Sequence, residues 1–246
     1  MKLCRFELID GSPGVRSGIY ADRIYETQGL QGVGIHELSK VKILTPTGLL
    51  TSASIWQNGD VNFLNPTGML GPLGDFDFPA NTKALSVELR PAVVLRDIGE
   101  RLEPKEASGL VLGYTILVSF VAQDLVPSCP GRARNYSLAL GPFITTPEEL
   151  EGQIEGSPED LCYRWKGSLS ISGALMGEAM ITPDFGFAQA LSLASKGNAV
   201  TPSDLIATER LSIPDLPETS LKRYLQPGDT VQATIEPLGT LVVRIV

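Results

Sequence analysis

The sequence predicts a mixed α+β fold that is rich in β-strands. Short apolar runs recur along the whole chain, and its 18 proline and 25 glycine residues fall between them. This pattern is typical of strands joined by many turns, and helical signals are few. The chain has 246 residues, of which 43% are hydrophobic. That length suffices for one large domain, or for one domain with a small N-terminal appendage.

The predicted strands are apolar or alternating runs bounded by turn residues. The last run closes as a hairpin, with turn residues at Pro227 to Asp229 and again at Pro237 to Gly239. In chain order, the runs read KLCRFEL, SGIYAD, RIYE, VNFLN, LSVELRPAVVL, GLVLGYTILVSFVA, YRWKGSLSISG, DLIAT and DTVQATIEPLGTLVVRIV.

The best helical signal is the segment TPDFGFAQALSLASKG. Thr182 can cap its N-terminus, and Pro183 suits the first turn. Phe187 and Leu191 recur at helical spacing, and Gly197 is expected to end the helix. Shorter helical turns are predicted in ERLEPKEASGLV and TTPEELEG.

A boundary is predicted within KVKILTPT. It divides the chain into a small β-rich N-terminal lobe, residues 1–42, and a main domain, residues 43–246. The segment MKLCRFELIDG alternates like a strand and has no signal-peptide core.

The charge balance disfavours several classes of partner. With 20 basic and 28 acidic residues the net charge is −8, which argues against binding to nucleic acid or to an anionic membrane surface. The sequence has no apolar stretch of about 18 residues, the length of a transmembrane helix. We therefore expect a cytoplasmic protein.

Cysteine and histidine usage disfavours two further chemistries. Cys4, Cys129 and Cys162 are odd in number and widely spaced, so neither a zinc site nor a disulfide framework is expected. His36 is the one histidine, and it fits a structural position in the N-terminal lobe better than a catalytic one.

Several motifs occur in an order that resembles the fumarylacetoacetate hydrolase superfamily. They are the N-terminal strands, VNFLNPTGMLGPLGDFDFP, LSVELRPAVVL, GLVLGYTILVSFVAQDL, LALGPFITTPEEL, the helical segment ending in DLIAT, and the closing hairpin. The resemblance covers nearly the whole chain. It implies a mixed β-roll and a homodimer. It also implies a divalent cation held by carboxylates that polarises 2-oxo or 1,3-dicarbonyl acids.

Residue by residue, the metal site implied by this resemblance is incomplete. Glu88 matches the second carboxylate of a Glu-x-Glu strand, but Ser86 stands at the first and Ser119 replaces another ligand. A serine oxygen brings no charge, and Mg²⁺ gives up its water only for strong anionic ligands. We therefore expect neither a metal nor any other cofactor.

Other positions of the implied site also differ from the family pattern. Asn65 matches a family lysine, and Arg132 is the best match to a second one. Trp56 lies where the catalytic His/Glu pair is expected, and Glu209 and Arg210 lie where a carboxylate-binding turn is expected.

These matches define the candidate site and leave two alternatives open for each role. Glu88 and Ser119 are the candidate catalytic residues, and the candidate substrate-binding residues are Arg132, Ser86, Asn65 and Trp56. Glu88 is either a general acid/base or half of an ion pair with Arg90 or Arg132. The serines either form a polar constellation or fill the space of the ion.

Arg132 and Arg134 either bind the carboxylate of a substrate or belong to a solvated loop. Arg132 and Arg134 suit carboxylate binding because a guanidinium matches a carboxylate bidentately. Trp56 either closes the old cleft or forms a wall for a ligand.

Two functions follow from the candidate site. The first is metal-independent chemistry, of the lyase, isomerase, hydrolase or cyclase kind, on a small dicarbonyl, enol or 2-oxo acid in a specialised biosynthetic pathway. The second is a catalytically silent homologue that binds a ligand or a partner subunit. An open cleft lined by Glu88, Ser119 and Arg132 would favour the first, and a cleft closed by Trp56 the second.

Overall fold

Two β-sheets form the framework of the protein in a computed structural model that describes residues 1–28, 31–57, 59–155, 160–181 and 186–246. Within these residues the first sheet has 11 strands and the second has 5. The predicted β-rich α+β fold is confirmed.

The strands are numbered in chain order. Several predicted strands are present with shifted ends, and others were not predicted, among them β6, β11 and β13. The bounds are β1 Lys2–Leu8, β2 Arg16–Tyr20, β3 Ile24–Gln28, β4 Gln31–His36, β5 Val41–Ile43, β6 Ala53–Gln57, β7 Asp60–Leu64, β8 Gly74–Phe76, β9 Leu85–Leu95, β10 Val111–Ala122, β11 Ala139–Thr145, β12 Trp165–Ile171, β13 Ala174–Ile181, β14 Leu205–Ala207, β15 Thr230–Ile235 and β16 Gly239–Ile245.

The N-terminal strands continue the main sheet. Its order is β4-β3-β2-β1-β11-β10-β9-β14-β6-β7, and β5 pairs with β1. Strand β1 joins these strands to the rest of the main sheet through antiparallel pairing with β11, where Leu3 lies opposite Ile144. Phe6 and Phe143 then share one small apolar cluster. The division at residue 42 stays a prediction.

The long antiparallel pair β9–β10 lies at the centre of the main sheet and places the candidate site. All 11 residues of β9 are buried. Successive side chains alternate between the two faces of a strand. On one face Val87, Leu89 and Val93 pack in the main core, and on the other Ala92 and Val94 pack in a second cluster.

The closing hairpin forms as predicted. Strands β15 and β16 pair antiparallel along their length, and they belong to the second sheet, whose order is β13-β12-β15-β16-β8. Gly228 and Gly239 have φ of +93° and +103°, a backbone region that a glycine adopts without steric cost.

Helices are short. They are α1 Pro104–Ala107, α2 Pro130–Ala133 and α3 Phe187–Ala194, and TTPEELEG forms a 3₁₀ helix over Pro147–Gln153. The helix predicted from Phe187 is present, but it ends at Ala194, before Gly197. At this end the Ser195 hydroxyl donates to the Ser192 carbonyl and accepts from the Leu102 amide. The expected cap Thr182 and Pro183 lie outside the described residues.

No helix in the described part of the chain has the length and hydrophobicity needed to cross a membrane.

Candidate functional site

Glu88, Ser86 and Ser119 share one face of the central strand pair. Ser119 on β10 lies directly opposite Glu88 on β9, and Ser86 is two residues before Glu88 and therefore on the same side of the strand. The three residues are buried, with relative exposures of 4% for Glu88, 3% for Ser86 and 2% for Ser119. The structure thus brings the three residues together as the register of the strands requires.

Two arginines bind the carboxylate of Glu88. Arg90 Nη2 donates to Oε2 at 2.8 Å, and Arg134 Nη2 donates to Oε1 at 2.9 Å. Of the alternatives open for Glu88, the ion pair with Arg90 is present. Arg134 is a second partner that the sequence analysis did not name, and Arg132 is not the arginine that binds this carboxylate. Both carboxylate oxygens are therefore engaged by guanidinium groups.

Arg90 is enclosed completely, with 0% exposure. Its Nη1 donates to the carbonyl oxygens of Thr208 at 2.9 Å and of Trp56 at 3.5 Å. Burial lowers the pKa of the Arg90 guanidinium, and the adjacent Glu88 carboxylate opposes that shift. Because its partners lie on β9, on β6 and just beyond β14, Arg90 joins three neighbouring strands at the site.

Arg134 connects the buried carboxylate with an open cleft. Its side chain is 20% exposed, and it follows directly after helix α2. The cleft has a volume of about 840 Å³, and Arg134, Arg132 and Asn65 line it together with Asn62 and Phe63. Arg132 and Asn65, both predicted as substrate-binding residues, therefore lie on the same cleft.

Asn65 also has a local structural role. Its Oδ1 accepts hydrogen bonds from the backbone amide and from the hydroxyl of Thr67, at 3.0 and 2.7 Å. This is an Asx turn, which fixes the chain after β7. Asn65 is thus held in place at the rim of the cleft.

Trp56 lies away from this cleft. Its side chain is 8% exposed and belongs to the main core, whereas its neighbour Ile55 packs in the second cluster with Ala92. Ala92 follows Glu88 and Arg90 at two-residue steps on one face of β9. Trp56 therefore points to the opposite face of the sheet, and this placement supports neither closure of the cleft nor a wall for its ligand.

The residues present do not fit the divalent cation that the family resemblance implies. A hard cation needs several anionic oxygens around one point. Glu88 is the carboxylate at this position, and both of its oxygens already accept from guanidinium groups. Across the described ranges of the chain, no three His, Cys, Asp or Glu residues are grouped so that they could hold a metal ion.

A smaller cavity lies beside the segment that follows strand β14. Its volume is about 210 Å³, and Tyr163, Trp165 and Phe187 line it together with Glu209 and Arg210. Arg210 also pairs with Asp215 at 3.1 Å. The segment expected to bind a substrate carboxylate thus borders an aromatic cavity, separate from the cleft of Arg132 and Arg134.

Comparisons with known proteins identify the family. Residues 52–246 match the model of the fumarylacetoacetate (FAA) hydrolase C-terminal domain, and the chain therefore belongs to this family. Oxaloacetate tautomerase YisK of Bacillus subtilis (strain 168) is 30% identical over 166 residues, covering 65% of this chain and 52% of that protein. An uncharacterized protein of Staphylococcus epidermidis is 28% identical over 180 residues, covering 67% of this chain and 53% of the relative. The chain spans about half the length of these curated relatives.

Solved structures show the same fold. The 5-carboxymethyl-2-hydroxymuconate delta-isomerase from Mycobacterium smegmatis superposes with a TM-score of 0.81 at 20% identity, over 100% of this chain and 98% of the other. Maleylpyruvate hydrolase from Sphingobium sp. SYK-6 gives a TM-score of 0.79 at 17% identity, with 100% and 99% covered. At these identities the likeness concerns the fold.

Proposed function

We propose that the cleft beside Glu88 binds a small 2-oxo or dicarbonyl acid without a divalent metal. The observation that carries this proposal is the position of Arg134, whose guanidinium reaches the buried carboxylate of Glu88 and also lines the cleft. Family relatives named as a tautomerase, an isomerase and a hydrolase support small-molecule chemistry of this kind.

The charges around the cleft favour an anionic ligand. Glu88 and Arg90 neutralise each other within the sheet, so the charge of Arg134 is left over, and Arg132 adds another on the same cleft. A guanidinium binds a carboxylate through two parallel hydrogen bonds. The net charge of the whole chain is −8, so the positive charge at this cleft is a local feature. It would attract a small anionic acid to the cleft rather than to the rest of the surface.

The proposed chemistry is stabilisation of an enol or enolate rather than proton abstraction by Glu88. A base must lie within reach of the substrate proton, whereas Glu88 is only 4% exposed and each of its oxygens already accepts from an arginine. A guanidinium near a developing enolate oxygen would lower the barrier electrostatically. Ser119, which lies opposite Glu88 on the neighbouring strand, would donate to that oxygen once Arg134 turns toward the ligand.

The second candidate is a catalytically silent binding protein, favoured by one observation. Ser86 and Ser119 are almost fully buried, so a ligand in the cleft meets Arg134 before it meets either hydroxyl. Under this alternative the cleft binds a carboxylate but the ligand leaves unchanged.

Calorimetry with oxalate and with oxaloacetate, in buffer containing a metal chelator, tests the proposal. We expect binding in the chelator, weakened about 10- to 100-fold in Arg134→Gln because charge-assisted hydrogen bonds are lost. Arg132→Gln is expected to weaken binding as well. Arg101→Gln is the matched control, because its side chain is 81% exposed and its ion pair is with the adjacent Glu100.

The two candidate functions separate in a second measurement. The enol of oxaloacetate is followed by its ultraviolet absorbance with and without the protein. A faster loss of enol that Arg134→Gln abolishes supports the enzyme, and binding without any change of rate supports the silent homologue. Equal affinity in wild type and in both arginine variants would refute the proposed cleft.

A further inference from the structure

The two ionic partners of Glu88 differ in their freedom to move. Arg90 has a side-chain exposure of 0%, whereas that of Arg134 is 20%. Arg90 is also held by two carbonyl oxygens outside strand β9, those of Thr208 and Trp56. Arg90 is thus a fixed cation at the carboxylate, and Arg134 is the one that can turn toward the cleft.

The two guanidinium groups supply the positive charge that a divalent cation would bring to Glu88. Together they carry +2, the formal charge of one divalent cation, and both contact the carboxylate directly. We infer that Arg90 is a built-in counter-ion that stands in for the divalent cation at Glu88. It is a positioning residue that keeps the carboxylate paired and the surrounding strands joined.

Arg90 is part of the chain, so it competes for the carboxylate of Glu88 more effectively than a dissolved cation does. A cation that binds Glu88 must displace the guanidinium, which then remains enclosed in the sheet without an anionic partner. Burying an unpaired charge is strongly unfavourable. Arg90 therefore excludes the metal by occupying one carboxylate oxygen permanently, in addition to the charge lost at Ser86 and Ser119.

This inference does not depend on the proposed function. It concerns the pairing of Glu88 in the protein without any ligand, so it can fail while oxalate binding succeeds, or the reverse. Its test needs a measurement of metal binding and of stability rather than of turnover.

Restoring carboxylates with and without Arg90 provides the decisive experiment. Ser119 lies opposite Glu88, and Ser86 lies on the same face, so S86E/S119D places three carboxylates around one point. Calorimetry and electron paramagnetic resonance would follow Mn²⁺ binding to wild type, to S86E/S119D and to S86E/S119D/R90A. We expect the triple variant to bind Mn²⁺ at least tenfold more tightly than S86E/S119D, and wild type to show no specific binding.

The matched control carries S86E/S119D with Arg101→Ala, which removes an exposed arginine instead of Arg90. It is expected to bind Mn²⁺ no better than S86E/S119D. A folded triple variant that binds Mn²⁺ no more tightly than this control would overturn the inference, because removing Arg90 would then have made no room for the ion.

A mutant cycle in the native background covers the case in which the triple variant does not fold. The melting temperatures of Glu88→Gln, Arg90→Gln and the double variant are compared with wild type. If Arg90 is the counter-ion of Glu88, the double variant loses less than the sum of the two single losses. Additive losses would overturn the inference.

Discussion

Glu88 and Arg90 form an ion pair within a single strand, 2.8 Å from carboxylate to guanidinium, with side chains that are 3% and 0% exposed. Residues two apart on a strand point to the same face, so the strand itself brings the pair together. Both charged groups of this pair are therefore buried away from water.

Glu88→Gln is predicted to lower the stability of the protein strongly. Removing one partner of a buried pair leaves the other charge uncompensated, at a cost of about 3–5 kcal/mol. For a chain of this length the melting temperature would fall by roughly 6–20 °C. Thermal unfolding followed by circular dichroism measures this, with Glu100→Gln, whose side chain is 64% exposed, as the control.

The same variant also tests the role of Glu88 as a general base, the alternative that the sequence allowed. A general base at the floor of a cleft would give a protein of unchanged melting temperature and reduced turnover. A large loss of stability would instead support the structural role.

Part of this site was accessible from the sequence. The alternation of β9 places Ser86, Glu88 and Arg90 on one face, and the long apolar runs predict both β9 and β10. The choice of Arg134 over Arg132 was not accessible, because it depends on how the chain folds between β10 and helix α2. No periodic pattern encodes that path.

Two strands that local sequence patterns do not predict, β6 and β11, are formed by pairing with neighbouring strands. Strand β11, which contains Gly141 and Pro142, reads as a turn but is hydrogen-bonded to β1 on one side and to β10 on the other. Strand β6 lies within TSASIWQNGD, whose small polar residues suggest a loop, and it is fixed by β14 and β7. The low β-propensity of these segments is overridden because the two neighbouring strands supply backbone hydrogen bonds.

Separate expression of residues 43–246 is predicted to give an aggregation-prone protein. This fragment lacks β1. The edge of β11 would therefore be unpaired near Ile144, and Phe143, which packs with Phe6 in the full chain, would be uncovered. Exposed sheet edges associate with other chains. Light scattering and thermal unfolding would compare the fragment with the full chain, and a monodisperse fragment of unchanged melting temperature would show that the lobe is energetically independent.

Tyr114 is predicted to limit stability in alkaline solution. It is fully buried, and its hydroxyl accepts a hydrogen bond from Tyr163 at 3.0 Å. Burial raises the pKa of Tyr114 above its ordinary value, and the neighbouring Tyr163 acts in the same direction. A raised pKa gives stability that is complete below the unfolded value, about 10, and that is lost as the pH rises beyond it.

Melting temperatures of wild type and Tyr114→Phe between neutral and strongly alkaline pH would test this. The variant is expected to lose less stability above about pH 10 than wild type does. Tyr25→Phe, at a residue that is 39% exposed, is the control and should follow wild type. Parallel curves for Tyr114→Phe and wild type would contradict the prediction.

Asp229 is predicted to give the closing hairpin its stability near neutral pH. The carboxylate accepts from both terminal nitrogens of Arg223, at 2.6 and 2.8 Å, from the Gln226 amide at 2.9 Å and from the Ser172 hydroxyl at 3.1 Å. The hydrogen bonds from Arg223 are the main cause that lowers the pKa of Asp229, with smaller contributions from Gln226 and Ser172. A lowered pKa gives stability that is present above the unfolded value and is lost as the pH falls through the folded one.

Asp229→Asn is therefore expected to cost about 2 kcal/mol at pH 7, since hydrogen bonds to a charged group are lost. The difference from wild type should shrink below about pH 4, where the carboxylate of the unfolded wild-type chain takes up its proton. Denaturant unfolding across this pH range measures both effects. A difference that stays constant with pH would mean that the charge of Asp229 contributes nothing, and that the asparagine only disturbs the turn that begins strand β15.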